Sequence, residues 1–340
     1  MQRIKSIGIN LKEFVGVSPL YGSKTGLNEA FVINGETKKE LVKQDSRSLE
    51  IIKPFLRGQD IGRWTPQYAD QWMIYTTNDV NLSSFPAIEA YLEKYREKLE
   101  ARAGRQDWWQ LQGATGTHHL FARPKIIYQV IQYLPQYSFD DLGLYGNDKT
   151  YFLPTADLYL LGLLNSPLMW WYNWRYFGDM KDHALNPANS KMEVLPIAPP
   201  TDEIRSQVEP IVTRLIEITK TNQESIREVL DWLRMEQSIE KLGNKLEDFA
   251  SLDCDQFVQE IKKRKPKDSG LNPKALKEVR EVYNDYAPKI QAHPAEALSL
   301  EIQLSDLVNQ AYGLTPEEIE LMWKTAPPRM PIPNPNRKGE

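Results

Sequence analysis

The run Ile52-Lys53-Pro54-Phe55-Leu56-Arg57-Gly58-Gln59-Asp60-Ile61-Gly62-Arg63-Trp64 sets three cations around two glycines and ends on an indole. Guanidinium forks match phosphate oxygens or the edge of guanine with two parallel hydrogen bonds. Glycine lets backbone N–H groups approach an anion closely. Asp60 either holds Arg57 or Arg63 in place or contributes its carboxylate to base reading. The same residue types also build a structural salt bridge in a loop, and spacing alone does not separate the two.

Other stretches carry chemistry of the same kind. Ser23-Lys24-Thr25-Gly26-Leu27-Asn28 is a polar turn with one lysine at its tip, ahead of an expected strand at Ala30 to Ile33. A nucleotide-phosphate loop needs a second glycine and then Gly-Lys-Ser/Thr opening a helix, which this turn lacks. It fits a hairpin tip touching a nucleic-acid backbone, or a plain surface turn. Arg105-Gln106-Asp107-Trp108-Trp109-Gln110 interleaves a cation, amides and two indoles. Such a mixture can stack on bases and read their edges, or fill the core of a loop.

His118-His119 has no third metal ligand at a recognised spacing. Glu260-Ile261-Lys262, downstream of Asp253 and Asp255, mimics a nuclease pattern but sits in a helical context. The sequence contains no Gly-x-Gly pair, no Gly-x-Ser-x-Gly elbow, and no Asn-Pro-Pro-Tyr or Asp-Pro-Pro-Tyr tetrapeptide. It therefore shows no glycine-rich dinucleotide or S-adenosylmethionine loop and no hydrolase nucleophile.

The elements that must position these residues fall into two regions. Short β-type runs recur at Ala30 to Ile33, Trp72 to Thr76, Lys125 to Tyr133, Tyr137 to Phe139 and Thr150 to Leu153, punctuated by Gly, Asn and Asp. An amphipathic helix is expected from Ala87 to Ala101. Leu158 to Phe177 reads as two buried helices, with Thr155 and Ser166 as N-caps and Pro167 in a first helical position. Its apolar runs fall short of the roughly 20 residues a membrane span requires. After the Pro196–Pro200 connector, Ile204, Val208, Ile211, Leu215 and Ile218 recur at helical spacing, with Pro210 as a candidate kink. Further helices are expected over Pro273 to Tyr286, Pro294 to Tyr312 and Pro316 to Lys324, with Gly313 as a C-cap.

This reading gives an α+β fold: a mixed or antiparallel-sheet domain followed by an all-α region. The expected boundaries are a lead-in at 1–19, the α+β domain at 20–200, a helical region at 201–325 and a disordered Pro-rich tail at 326–340. The 340 residues are 41% hydrophobic, enough for a folded core. A single cysteine excludes a disulfide framework and fits a reducing cytoplasm, and no signal peptide is visible. The net charge of −4 divides unevenly, with 22 Lys+Arg against 21 Asp+Glu in residues 1–200 and the acidic excess in the remainder. A near-neutral first region permits a nucleic-acid partner without arguing for one.

Five ordered phrases add a resemblance. Lys24-Thr25-Gly26-Leu27-Asn28-Glu29-Ala30-Phe31, Ile51 to Ile61, Arg123-Pro124-Lys125-Ile126-Ile127-Tyr128, Leu160 to Ser166 and Leu195-Pro196-Ile197 occur in that order. Together they resemble the TaqI-like C-terminal specificity domain of type IIG restriction–modification enzymes and adenine-specific DNA methyltransferases. Asp306 to Thr315 is similar to the closing segment of such chains. The resemblance implies a target-recognition module that positions double-stranded DNA for a methyltransferase catalytic domain or subunit. That catalytic part would use S-adenosylmethionine, and this stretch would carry no cofactor and no metal of its own. Because the methyltransferase motifs are missing, the module is expected to be non-catalytic alone. The residues expected on DNA are Lys24, Thr25, Asn28, Lys53, Arg57, Gln59, Asp60, Arg63, Trp64, Arg105, Trp108 and Lys125. The rival readings are a stand-alone DNA-binding or protein-interaction protein, and an aromatic-rich carbohydrate-binding module built on Trp108 and Trp109.

Overall fold

A computed structural model describes residues 1–114, 118–178, 180–266 and 270–336, except the side chain of His118. The chain divides by packing into two compact units, Met1–Val212 with Leu304–Glu340, and Thr213–Gln303.

Among its described residues the first unit holds ten short strands: β1 (Ile9–Asn10), β2 (Leu20–Tyr21), β3 (Val32–Asn34), β4 (Ile52–Leu56), β5 (Gln71–Ile74), β6 (Lys125–Gln129), β7 (Tyr137–Asp140), β8 (Tyr145–Gly146), β9 (Thr150–Leu153) and β10 (Pro196–Ile197). They form three sheets among the described residues. One is the antiparallel pair β1–β10, so the expected Pro-rich connector begins as a strand. The second is an antiparallel sheet in the order β2-β9-β6-β7. The third runs β3-β5-β4-β8, antiparallel except for the parallel β4–β8 pair. The mixed α+β class inferred above is the class observed.

A single apolar cluster underlies the two larger sheets, including Phe31, Phe55, Met73, Ile88, Phe121, Tyr145 and Phe152. The ring of Phe121 stacks on Tyr145 at 4.8 Å and meets Phe152 at 4.6 Å. Burying such aromatics contributes most of the driving force that holds sheets together.

The two buried helices are Leu158–Asn165 and Pro167–Phe177. Ser166 caps the second, and Pro167 occupies its first turn as expected. The first is capped by Asp157, whose carboxylate accepts from Leu160 N, not by Thr155. Thr155 instead accepts from the Asp157 backbone N–H and sets the turn before the cap. The run Ala87 to Ala101 is two helices, Pro86–Glu93 and Arg96–Glu100, parted at Lys94 and Tyr95. The stretch Asn28–Phe31 is a helical turn, and the strand expected from Ala30 starts only at Val32. The Pro-rich tail is anchored rather than disordered where it is described. Trp170 Nε1 donates to Arg329 O at 2.7 Å, and Ile332 is buried. Residues 337–340 lie outside the described residues. Among those described, no helix is long and apolar enough to cross a membrane.

Helix Asp202–Met235 runs unbroken through Pro210, and helix Pro273–Ala311 runs through Pro288 and Pro294. The separate helices expected on either side of Pro294 are therefore one. Gly313, at φ +55°, ends it, where only glycine adopts the left-handed turn freely. Thr315 and Glu318 then form the capping box of Pro316–Lys324.

The second unit is helical. Leu233, Leu246, Phe249, Phe257, Ile261 and Val279 close its own apolar core. Glu260 in helix Cys254–Arg264 is held by Lys263 at 2.9 Å and by Arg264, which explains the nuclease-like pattern as an ion-pair cluster.

Candidate nucleic-acid interface

Four segments of the first unit converge on one cleft of about 470 Å³. Asn28 comes from the helical turn after the Lys24 loop, and Arg57, Gly58 and Gln59 from the turn that follows β4. Gln129, Val130 and Ile131 come from the end of β6, and Asn147 and Lys149 from the turn between β8 and β9. Val32 and Phe55 supply apolar wall. Two cations and four amides line the cleft; the carboxylates of Asp60 and Asp148, paired with Arg57 at 2.7 Å and Lys149 at 3.7 Å, lie outside that lining. Amide groups match adenine edges, and guanidinium or ammonium groups match guanine edges and phosphates.

The convergence is fixed by backbone pairing. Lys24 and Gly113 exchange both backbone hydrogen bonds, at 2.7 and 2.9 Å. Ser23 N donates to Gly146 O at 2.9 Å, and Gly22 N donates to Thr150 O at 3.0 Å. A Cβ on Gly22 would stand 2.2 Å from Asn147 O, so these two segments meet only because residue 22 has no side chain. Val130 N donates to Lys149 O at 3.1 Å, which ties the end of β6 to the β8–β9 turn. Arg102, which the sequence reading passed over, is the half-buried clasp of the neighbouring loops. Its guanidinium donates to Thr25 O, Trp108 O, Gln110 O and Leu99 O. Burial pushes its pKa down, and no carboxylate lies among those four acceptors.

Within the cleft, Arg57 donates through Nε and Nη2 to both Asp60 oxygens, at 2.7 and 2.8 Å. This side-on fork leaves the outer edge of the guanidinium, with Nη1, facing away from Asp60. An end-on pair of donors remains for a guanine or a phosphate. Asp60 thus acts as the buttress of Arg57. Thr25 is buried and donates from Oγ1 to Asn28 Oδ1 at 2.6 Å, which leaves the Asn28 amide N–H groups directed by that bond. Gln129 Nε2 donates to Ile61 O at 3.2 Å.

The twelve residues expected on DNA separate into groups. Asn28, Arg57 and Gln59 line the cleft, and Asp60 and Thr25 hold two of them. Lys24 is exposed on the adjoining loop, and Lys53 is half-buried on β4, where burial lowers its pKa. Arg105 is exposed on the loop before Trp108.

The rest are corrected by their packing. Lys125 has 0% exposure. Its ammonium bonds Phe121 O at 2.6 Å and pairs with Asp140, its cross-strand partner in β7. Asp140 also accepts from Leu142 N and Leu144 N, so the pair is a buried structural joint, not a DNA contact. Arg63 donates to Asn165 O at 2.8 Å, at the C-terminal end of helix Leu158–Asn165, where a cation is favoured by the helix dipole. Trp64 is buried with φ +75°, and its backbone pairs with Tyr137 O and Phe139 N. Trp108 is half-buried and packed against the apolar core, with the Arg96 guanidinium 4.8 Å from its ring centre. Lys149, Asn147 and Gln129 were missed. Asn147 sits in the Gly-Asn-Asp turn signal, but no spacing rule tells that this turn faces Arg57.

No group of three His, Cys, Asp or Glu side chains able to hold a metal occurs among the described residues.

Comparison with known proteins places parts of the chain beside described families. Residues 53–197 match the family model of the TaqI-like C-terminal specificity domain, and residues 201–308 match a family described as a domain of unknown function (DUF8810). The type II methyltransferase M.BanIII of Aneurinibacillus aneurinilyticus is 26% identical over 145 residues, covering 39% of this chain and 24% of the methyltransferase. The type IIL restriction–modification enzyme MmeI, solved in complex with DNA, superposes with a TM-score of 0.54 at 14% identity. That likeness of fold covers 91% of this chain and 35% of MmeI. The chain thus spans about a quarter to a third of the length of these relatives.

Proposed function

We propose that this chain, which carries a TaqI-like specificity domain over residues 53–197, is the sequence-reading part of an adenine-specific DNA methyltransferase or restriction–modification system. The observation that carries the reading is the cleft whose polar lining is Arg57, Lys149 and four amides without a carboxylate. A surface of that composition attracts phosphates and discriminates base edges.

In this reading Arg57, braced by Asp60, presents its outer edge to guanine, and Asn28, Gln59, Gln129 and Asn147 are available to adenine or cytosine edges. Exposed Lys24 and Lys149 contact phosphates and fix register. A cleft of about 470 Å³ is far smaller than a duplex, so the remaining grip comes from the exposed rim around it. The adenine to be methylated is drawn out of the stack into a separate catalytic domain or subunit, which binds S-adenosylmethionine. The grip of this chain on the flanking DNA offsets part of the cost of opening the duplex. A carbohydrate-binding role gains no support, because Trp108 and Trp109 are half-buried in the loop held by Arg102.

The test is binding of a labelled DNA duplex to the chain across a salt series. Log affinity is expected to fall linearly with log salt. Affinity for sugars without DNA binding would contradict the proposal. Mixing with a methyltransferase half should then confer site-specific methylation; a stand-alone DNA-binding protein would bind without that effect.

A further inference from the structure

The loop that leaves β6 beside the cleft places large apolar side chains in solvent. Ile131 and Tyr133 are each 44% exposed and Leu134 is 37% exposed. Their exposure is not loose chain. Val130 N is bonded to Lys149 O, and Gln132 exchanges both backbone hydrogen bonds with Leu185, at 2.9 and 2.8 Å. The Gln132 side chain is buried, whereas the side chains of Ile131 and Tyr133 on either side of it are exposed. Ile131 itself lines the cleft that holds Arg57 and Lys149, and the Arg329 guanidinium lies 5.2 Å from the centre of the Tyr133 ring. An apolar edge with Arg57 and Lys149 in the same cleft as Ile131, and Arg329 against Tyr133, suits neither a solvated turn nor a purely apolar partner. It suits a stacked base step between two phosphate backbones.

Resting on the DNA-reading function proposed above, we infer that Ile131, seconded by Tyr133, is a wedge that enters between adjacent base pairs of the bound duplex. Apolar side chains of this size part base steps and kink DNA in architectural proteins, with cations on the flanking phosphates. The wedge lowers the cost of unstacking next to the base that the catalytic part must extract. Arg57 and Lys149 hold the backbone while the step opens.

The experiment uses the full chain and a short duplex recovered by it from a random-sequence pool, with 2-aminopurine substituted at successive positions. Binding of the wild-type chain should raise the fluorescence several-fold at one step. Ile131→Ser with Tyr133→Ser should abolish that rise when the duplex is held at concentrations that saturate the variant, whatever affinity the change costs. Both side chains are exposed, so an unchanged melting curve confirms that the variant is folded. A bound duplex with no fluorescent step, or a rise that survives in the double variant, overturns the wedge and leaves the DNA-reading function standing. Failure of the wild-type chain to recover any duplex overturns both. A dimer of the free chain that the double variant dissociates would assign this edge to self-association and overturn the wedge.

Discussion

Arg57 and Lys125 show how differently two cations of one sheet domain are used. Arg57 is part-exposed and braced by Asp60, whereas Lys125 is sealed beneath the β6–β7 pair. Replacing Arg57 with Ala should weaken specific DNA binding by about 1–3 kcal/mol and relax preference at one base position, read by competition between duplexes differing at single pairs. An equal loss on every sequence would reassign Arg57 to phosphate. Lys24→Ala should reduce the slope of log affinity against log salt by about one unit if its ammonium meets a phosphate. Lys125→Met should leave Asp140 buried without its cation and cost about 3–5 kcal/mol in a denaturant titration, with little direct effect on which sequence is bound. The motif around Arg57 was legible in the sequence because Arg, Gly and Asp sit within one turn. The fate of Lys125 was not, since its role depends on the strand register that sets it opposite Asp140. Arg63 was misread for the same reason: its acceptor, Asn165 O, is far away in sequence.

Elements were more legible than contacts. Strand β9 matches the expected Thr150 to Leu153 because a β-branched residue and two aromatics follow a turn signal in one short run. The Asn28–Phe31 turn escaped notice because Phe31 and Val32 read as strand until the helical turn buries Ala30 and Phe31 together. Pro288 did not end helix Pro273–Ala311, since Val279, Tyr283, Ala287 and Ile290 still share one buried face on both sides of it. Local proline penalties yield there to tertiary packing. Helix Cys254–Arg264 gives an acid-sensitivity prediction. Hydrogen bonds from Lys263 and Arg264 hold the Glu260 carboxyl at about 2, below its ordinary 4.5. The folded state therefore favours the carboxylate. This contribution is present above about pH 4.5 and is lost as pH falls toward 2. Melting temperatures taken over that range should decline less steeply for Glu260→Gln than for the wild-type chain. Parallel curves would show that the cluster is not coupled to folding.

At the scale of the molecule, one unit carries the cleft and its β-sheets, and the other is a helical unit with a core of its own. Composition foretold this change from turn-rich aromatic text to helical text. It did not foretell that Leu304–Glu340 would pack with the first unit, because the tail is anchored by Trp170 and the buried Ile332, contacts invisible to a local reading. The central claim is that the first unit reads DNA sequence through Arg57 and the surrounding amides. Its most direct measurement is selection of a random-sequence duplex pool on the full chain, followed by sequencing of the retained DNA. The account predicts enrichment of one short recurring motif. Retention of DNA without any preferred sequence, or no retention at low salt, would contradict it.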